Sequence, residues 1–216
     1  MQTVNHTLYV VRHGENPANL NREFSYKLID YSLTPKGVRQ AEDTATFFSN
    51  KGIHAIYSSP LKRALETAEA IARPLGLPIT VVEEFRENNV GDLESQPITD
   101  ENWALHDRII ADWYAGRHDV AFPGGESFLG LIARIRAGLT RVLTEVGDAR
   151  EAQRIVIVAH GGILSGMARG IAHEPDLALV AARRCENCSI SEFDARLTAD
   201  GLKLHMRDWA ACEHLL

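Results

Sequence analysis

Thr7-Leu8-Tyr9-Val10-Val11-Arg12-His13-Gly14-Glu15 is the stretch on which the reading of the 216-residue chain turns. Its first half is short, apolar and rich in β-branched residues, as in a strand buried on both faces of a sheet. It ends abruptly at a cation, an imidazole and a glycine. The same sentence is written again at Arg154-Ile155-Val156-Ile157-Val158-Ala159-His160-Gly161-Gly162. Two buried strands that each run into His-Gly predict a sheet whose strand ends carry the chemistry.

The elements around these two strands fit that sheet. Thr34 and Pro35 form an N-cap and first-turn pair, and Val38, Ala41, Ala45 and Phe48 recur at helical spacing as far as Gly52. His54 to Tyr57 reads as a second strand. Ser59-Pro60 repeats the cap signal, with Leu61, Leu65, Ala68 and Ala72 marking a helix face that ends at Gly76. Ile79 to Val82 is the third strand. From Glu83 to about Arg150 the pattern predicts a helical insertion over the site, with helices near Asp100 to Gly116 and Ser127 to Val146 around the turn Phe122-Pro123-Gly124-Gly125. After the fourth strand, Arg154 to Ala159, a small-residue helix runs to about Ile171. Ser189 to Asp194 and Leu202 to Asp208 close the chain as two strands about Ala199-Asp200-Gly201. Strands alternating with helices imply an α/β fold with a mainly parallel sheet covered on both faces, whose ligands lie beyond the carboxyl ends of the strands.

Composition bounds the function. At 216 residues the chain reads as one domain, 1–216, below the size of about 250 residues at which cores divide. A formal charge of −6 argues against binding nucleic acid or anionic membrane, so a bound phosphate must meet a local cluster of Arg and His. The longest apolar runs fall far short of the ~20 residues of a membrane helix. Met1 to Thr7 has no basic stretch followed by an apolar one, and three cysteines are an odd count, so a reducing, cytoplasmic setting is the expectation.

Several residues then stand out as a phosphate site. His13 and His160 sit at strand ends before glycine, and the helix after His160 offers free amide N–H groups. Arg63 lies in the first turn of a helix, where a cation faces the positive end of the dipole unless an anion compensates it. The bland alternative is that Arg63 and Lys62 point into solvent. Arg12 beside His13 supplies a guanidinium fork for an oxyanion.

Taken in order, Arg12-His13-Gly14-Glu15 with Asn19, Ser58-Ser59-Pro60-Leu61-Lys62-Arg63-Ala64 with Thr67-Ala68, Glu87 four residues before Gly91, and Ala159-His160-Gly161-Gly162 resemble the histidine phosphatase superfamily. Within it they are similar to the branch of cofactor-dependent phosphoglycerate mutases and small-molecule phosphatases. The resemblance implies a three-layer α/β/α sandwich with a mixed six-stranded sheet. It implies His13 as nucleophile, Arg12, Arg63, His160 and Gly161 as the phosphate pocket with Asn19 as a neutral donor, and Glu87 as general acid. It requires neither metal nor other cofactor, and its partner is a small phosphomonoester. Glu83, Glu84, Glu94 and Glu126 are competing carboxylates, while Glu15 reads as an organiser of the turn.

The chain also departs from that pattern: Asn16 stands where Ser or Thr is usual, Ser25-Tyr26 replaces a pairing ending in Gly, and Leu93-Glu94-Ser95 replaces Trp-Glu-Gly. The short segment before His160, with Arg108, Arg117 and Arg134 at no fixed spacing, favours a phosphatase over a mutase. Phe24, Tyr26, Trp103, Trp113 and Tyr114 are candidates for a partly apolar pocket or for plain packing. Two further readings remain: a phosphate-binding protein without turnover, and a zinc site from Cys185, Cys188, Cys212 and His214, against which the single residue between Cys212 and His214 argues.

Overall fold

The computed structural model describes residues 4–147 and 151–215. Residues 1–3 of the N-terminal stretch, 148–150 at the end of the expected insertion, and 216 lie outside the described residues. Six strands form one sheet in the order β3-β2-β4-β1-β5-β6. They are β1 (His6–Arg12), β2 (Ala55–Ser58), β3 (Ile79–Val81), β4 (Arg154–Ala159), β5 (Ile190–Thr198) and β6 (Gly201–Ala211). β1, β2, β3 and β4 pair in parallel, whereas β5 runs antiparallel to β1 and β6 antiparallel to β5. The sheet is therefore mixed, with its antiparallel part confined to one edge.

The helices are α1 (Pro17–Asn21), α2 (Pro35–Phe48), α3 (Lys62–Leu75), α4 (Asp100–Tyr114), α5 (Phe128–Val146), α6 (Gly161–Gly166) and α7 (Leu177–Ala182). Alternate residues of the central strands supply two cores. Leu8, Val10, Ile155 and Ile157 pack with Leu131, Ile135, Leu139 and Val142 of α5. Tyr9, Val11, Val156 and Val158 pack with Ala45 and Phe48 of α2 and Ala64, Ala68 and Ile71 of α3. Period-two alternation thus produces three layers, each fully buried Val, Leu or Ile contributing about 2 kcal/mol.

Several local expectations change. Val38 is exposed on the solvent side of α2. Ser59 does not cap α3: the cap position is Leu61 without a side-chain bond, and the Lys62 amide is instead satisfied by Asp30 Oδ1 at 2.9 Å. The helix after His160 is α-helical to Gly166 and ends in a π turn, Met167–Ile171. α1 and α7, each only a turn or so long, fall in stretches for which the sequence pattern predicts no element. Between β3 and β4 the described residues hold no strand, only 3-10 turns, α4, α5 and one isolated bridge from Ala121 to Ser127. No helix among the described residues is long and apolar enough to cross a membrane.

Candidate active site

The pairing of β1 with β4 sets the centre of the site. Arg12 and Ala159 are register partners, so the next residue of each strand, His13 or His160, leaves the sheet at the same height. Their ring centroids lie 5.1 Å apart, and both side chains are buried. β2 lies on the other side of β4, and the turn after it brings Ser59 and Arg63 to the same end.

His13 Nδ1 lies 2.7 Å from the Gly14 carbonyl, which can only accept, so the bonding pattern assigns the ring proton to Nδ1. Nε2 keeps its lone pair and accepts from Arg63 Nε at 3.1 Å. Burial first, then the positive charges of Arg63 and Arg12, holds the His13 pKa well below its ordinary value. The ring is neutral at pH 7. His160 is held down in the same direction by burial and then by Arg63. Its Nε2 lies 2.7 Å from Ser59 Oγ, which in turn accepts weakly from the Leu61 amide at 3.4 Å. A Ser59 hydroxyl that donates to Nε2 leaves the ring proton on Nδ1. Among the described residues, His160 Nδ1 and Arg12 Nε are buried without hydrogen-bond partners.

Arg63 is not a solvent-facing side chain. It is 2% exposed, with Nη1 on Ser25 Oγ at 2.8 Å and Nη2 on the Ser25 carbonyl at 2.7 Å, whereas Lys62 beside it is exposed. Burial lowers its pKa to about 10, which leaves it a cation at neutral pH. Thr67, one turn along α3, accepts the Gly14 amide and donates to the Arg63 carbonyl. Gly14 itself is dictated by space, since a Cβ there would lie 2.6 Å from the Gly37 carbonyl oxygen.

Of the five candidate carboxylates, Glu87 alone lines the cleft. Its Oε1 accepts the amides of Asn88 at 2.8 Å and Gly162 at 3.1 Å. Its backbone is clamped by Arg134, which donates to the carbonyls of Glu84, Arg86 and Glu87 while paired with Glu126. Glu83 pairs with Arg86, and Glu84 lies toward Arg141. Glu94 Oε1 accepts four successive amides, Tyr26 through Ile29. Glu15 bonds Thr34 and Lys36, so its carboxylate ties the segment after His13 to the start of α2.

Asn19 lies in α1, where Asn16 and Asn19 cap reciprocally, and it lines the cleft with its Oδ1 accepting from Asn187. Gly161 opens α6 beside Arg12 and also lines the cleft. A Cβ on Gly161 would make only ordinary contact, so the tight glycine of the pair is Gly162.

Asn187 was not singled out by sequence. Its Nδ2 donates to the His13 carbonyl at 3.0 Å and to Asn19 Oδ1 at 3.0 Å. The signal was present in the topology: β5 starts beside the carboxyl end of an antiparallel β1, with Val11 opposite Ile190, so the residues before β5 must lie against those after β1. The same segment accepts Arg12 Nη1 on the Cys185 carbonyl. Its cysteines are free thiols, and burial pushes Cys188 up to about 12. No group of three or more His, Cys, Asp or Glu side chains is gathered for a metal ion among the described residues.

Arg12, His13, Asn19, Arg63, Glu87 and Gly161 line a cavity of about 290 Å³. Phe24, Trp103 and Tyr114 line it; Trp113 belongs to the core and Tyr26 lies outside the lining. A larger groove of about 520 Å³ between α2 and α3 contains no histidine and stands apart from this constellation.

Residues 8–207 match the family model of the histidine phosphatase superfamily (branch 1). The chain belongs to that superfamily. Among histidine phosphatase relatives, it is 35% identical over 192 residues to a probable phosphoglycerate mutase, GpmB, of Escherichia fergusonii, covering 87% of this chain and 84% of the relative. It is 32% identical over 186 residues to an uncharacterized phosphatase, PhoE, of Bacillus subtilis, covering 86% of each. The mycobacterial glucosyl-3-phosphoglycerate phosphatase structure in complex with VO3 shares the fold, with a TM-score of 0.77 at 24% identity over 96% of this chain and 100% of that one. This member of the superfamily thus has relatives named as mutase and as phosphatase.

Proposed function

We propose that the protein is a metal-independent phosphomonoesterase that acts on a small phosphorylated metabolite through a phosphohistidine at His13. The observation that carries this reading is the neutral His13, its proton fixed on Nδ1 and its Nε2 lone pair held among Arg12, Arg63 and His160. In the first half-reaction Nε2 attacks phosphorus, and the bond to the ester oxygen breaks with its electron pair on that oxygen. Arg63 Nε turns from Nε2 to a phosphoryl oxygen, and Arg12 Nε and the His160 Nδ1 proton meet the others, neutralising charge as it builds. Glu87 delivers a proton to the departing alkoxide. As a carboxylate it then takes a proton from water, whose oxygen attacks phosphorus and returns His13 to neutrality.

Hydrolysis is favoured over transfer because Arg134 and Arg117 are engaged, by Glu126 and Asp112 respectively, and Arg108 does not line the cleft. A doubly anionic sugar acid would lack a second cationic cradle. The mutase reading draws support from the GpmB relative and remains the competing outcome. The deciding experiment is phosphate release from a panel of phosphomonoesters in EDTA, with His13→Ala as control. Release by wild type alone is expected. No release, with phosphoryl exchange between phosphoglycerates instead, would establish the mutase, and silence in both assays would leave a binding protein.

A further inference from the structure

We propose that the substrate's leaving group is an uncharged alcohol bearing a ring and at least one hydrogen-bond donor, a proposal that rests on the phosphatase reading above. The two guanidinium groups lining the cleft, Arg12 and Arg63, both belong to its phosphate end. Away from that end the walls are rings. Phe24 and Trp103 lie 4.4 Å apart at 32°, and His106 lies 5.3 Å from Phe24 and 5.1 Å from Trp103. Asp107 Oδ1 is 2.9 Å from His106 Nδ1, so a positive charge on that imidazole would already be paired.

Besides Arg12, three residues lining the cleft carry a buried polar atom without a partner among the described residues: Asn16 offers a donor, and Glu23 and Asn88 each offer an acceptor. The two acceptors are Glu23 Oε2 and Asn88 Oδ1, with Asn88 Oδ1 beside Glu87 Oε1 at Gly162. Glu23 Oε1 is occupied by Asn21 Nδ2, and a hydrogen bond to Glu23, followed by its negative charge, raises the Tyr31 phenol. A buried carboxylate oxygen and an amide oxygen call for hydroxyl or amino donors, and the carboxylate repels a second anionic group. The nearby cations do not reverse this. Arg22 and Arg169 lie over the rings of Trp103 and Tyr114, at 5.0 and 4.1 Å, and neither lines the cavity. The cavity therefore takes phosphate at one end and, at the other, a flat group that stacks and donates.

The test compares kcat/KM for uridine 5′-monophosphate, glycerol 3-phosphate and 3-phosphoglycerate, with p-nitrophenyl phosphate as the measure of phosphatase competence. The expected result is at least about a tenfold preference for the ring-bearing ester over each of the other two metabolites, the scale of one good stacking contact. Trp103→Ala should bring its ratio to glycerol 3-phosphate toward one. Glu23→Gln should raise 3-phosphoglycerate relative to glycerol 3-phosphate by roughly threefold or more, by removing a like charge and keeping an acceptor. Hydrolysis of p-nitrophenyl phosphate combined with equal rates on the three, or with preference for 3-phosphoglycerate, would overturn this inference and leave the phosphatase reading intact. Failure to release phosphate from any of the four would overturn both.

Discussion

The Gly162 amide donates to Glu87 Oε1 at 3.1 Å, and a Cβ placed on Gly162 would lie 2.4 Å from that same oxygen. The turn that follows His160 is therefore also the seat of the proposed acid. Glu87→Gln should slow alkyl phosphates by about 100-fold and p-nitrophenyl phosphate much less, because only a poor leaving group needs protonation. Gly162→Ala should reproduce that pattern by displacing Glu87, with His13 untouched. Equal slowing of both ester classes in Glu87→Gln would move the acid role to another group.

Ser59 illustrates what was legible in the sequence and what was not. The strand ends carrying His13 and His160 could be read directly, because an apolar run broken by Arg-His-Gly or His-Gly-Gly is a local signal. Arg63 could be read too, since an uncompensated cation in a first helical turn is conspicuous. Ser59 looked like an N-cap by the same local rules, yet its hydroxyl goes to His160 Nε2, a partner about a hundred residues away that only the β2–β4 pairing brings near. Asn187 escaped notice, and Ser25 stood out only as a departure from the family pattern, for the same reason: each acts through a contact with residues distant in the chain. The aromatic candidates divided likewise. Trp113 and Trp103 share α4 but not its burial, and short-range pattern does not say which turn of a helix overhangs a cleft.

Removing the Ser59 hydroxyl should therefore cost both orientation and stability. In Ser59→Ala, His160 Nε2 loses its partner inside the protein, a deficit of roughly 1–3 kcal/mol. The imidazole is also free to exchange tautomers, which would turn an acceptor toward the phosphoryl oxygens. A fall in kcat/KM of about 10- to 100-fold is expected, together with a lower urea midpoint. Ser59→Thr should recover much of both. Unchanged activity in Ser59→Ala would mean that the serine merely fills space.

Glu94 should matter without touching substrate. Its Oε1 gathers the amides of Tyr26, Lys27, Leu28 and Ile29 at 2.6 to 3.2 Å, and the residue just before them, Ser25, holds two nitrogens of Arg63. Charge-assisted bonds of this kind are the strong ones, so Glu94→Ala should lower stability by about 2–3 kcal/mol. The loop should also become easier to cleave between residues 26 and 31. Because Arg63 then loses its anchor, KM should rise and kcat should fall together. Limited proteolysis and steady-state kinetics on one preparation test both halves, and an intact loop with normal KM would detach Glu94 from the site.

The paired histidines also fix a pH dependence whose sign follows from their burial. Both His13 and His160 have folded-state pKa values well below 6.5, the value they regain on unfolding. Below pH 6.5 the unfolded chain therefore binds protons that the folded site refuses. The stabilising contribution of the neutral pair is complete above that pH and is lost as pH falls toward the folded values. His6 and His214, lowered by burial as well, add to the same trend. Well below 6.5 each fully refused proton costs on the order of 1 kcal/mol per pH unit. Urea midpoints measured from pH 8 to pH 5 without phosphate should thus be flat and then decline from about 6.5, before carboxylates begin to titrate. His160→Asn should make the decline shallower, because one refused proton is removed. Inorganic phosphate should flatten it further, since an anion in the cleft favours the protonated rings that Arg12 and Arg63 oppose. A midpoint that is insensitive to pH across this window in the wild type would mean that the two imidazoles titrate as they do in the unfolded chain, and that the neutral state of the proposed nucleophile, His13, is not maintained by the fold.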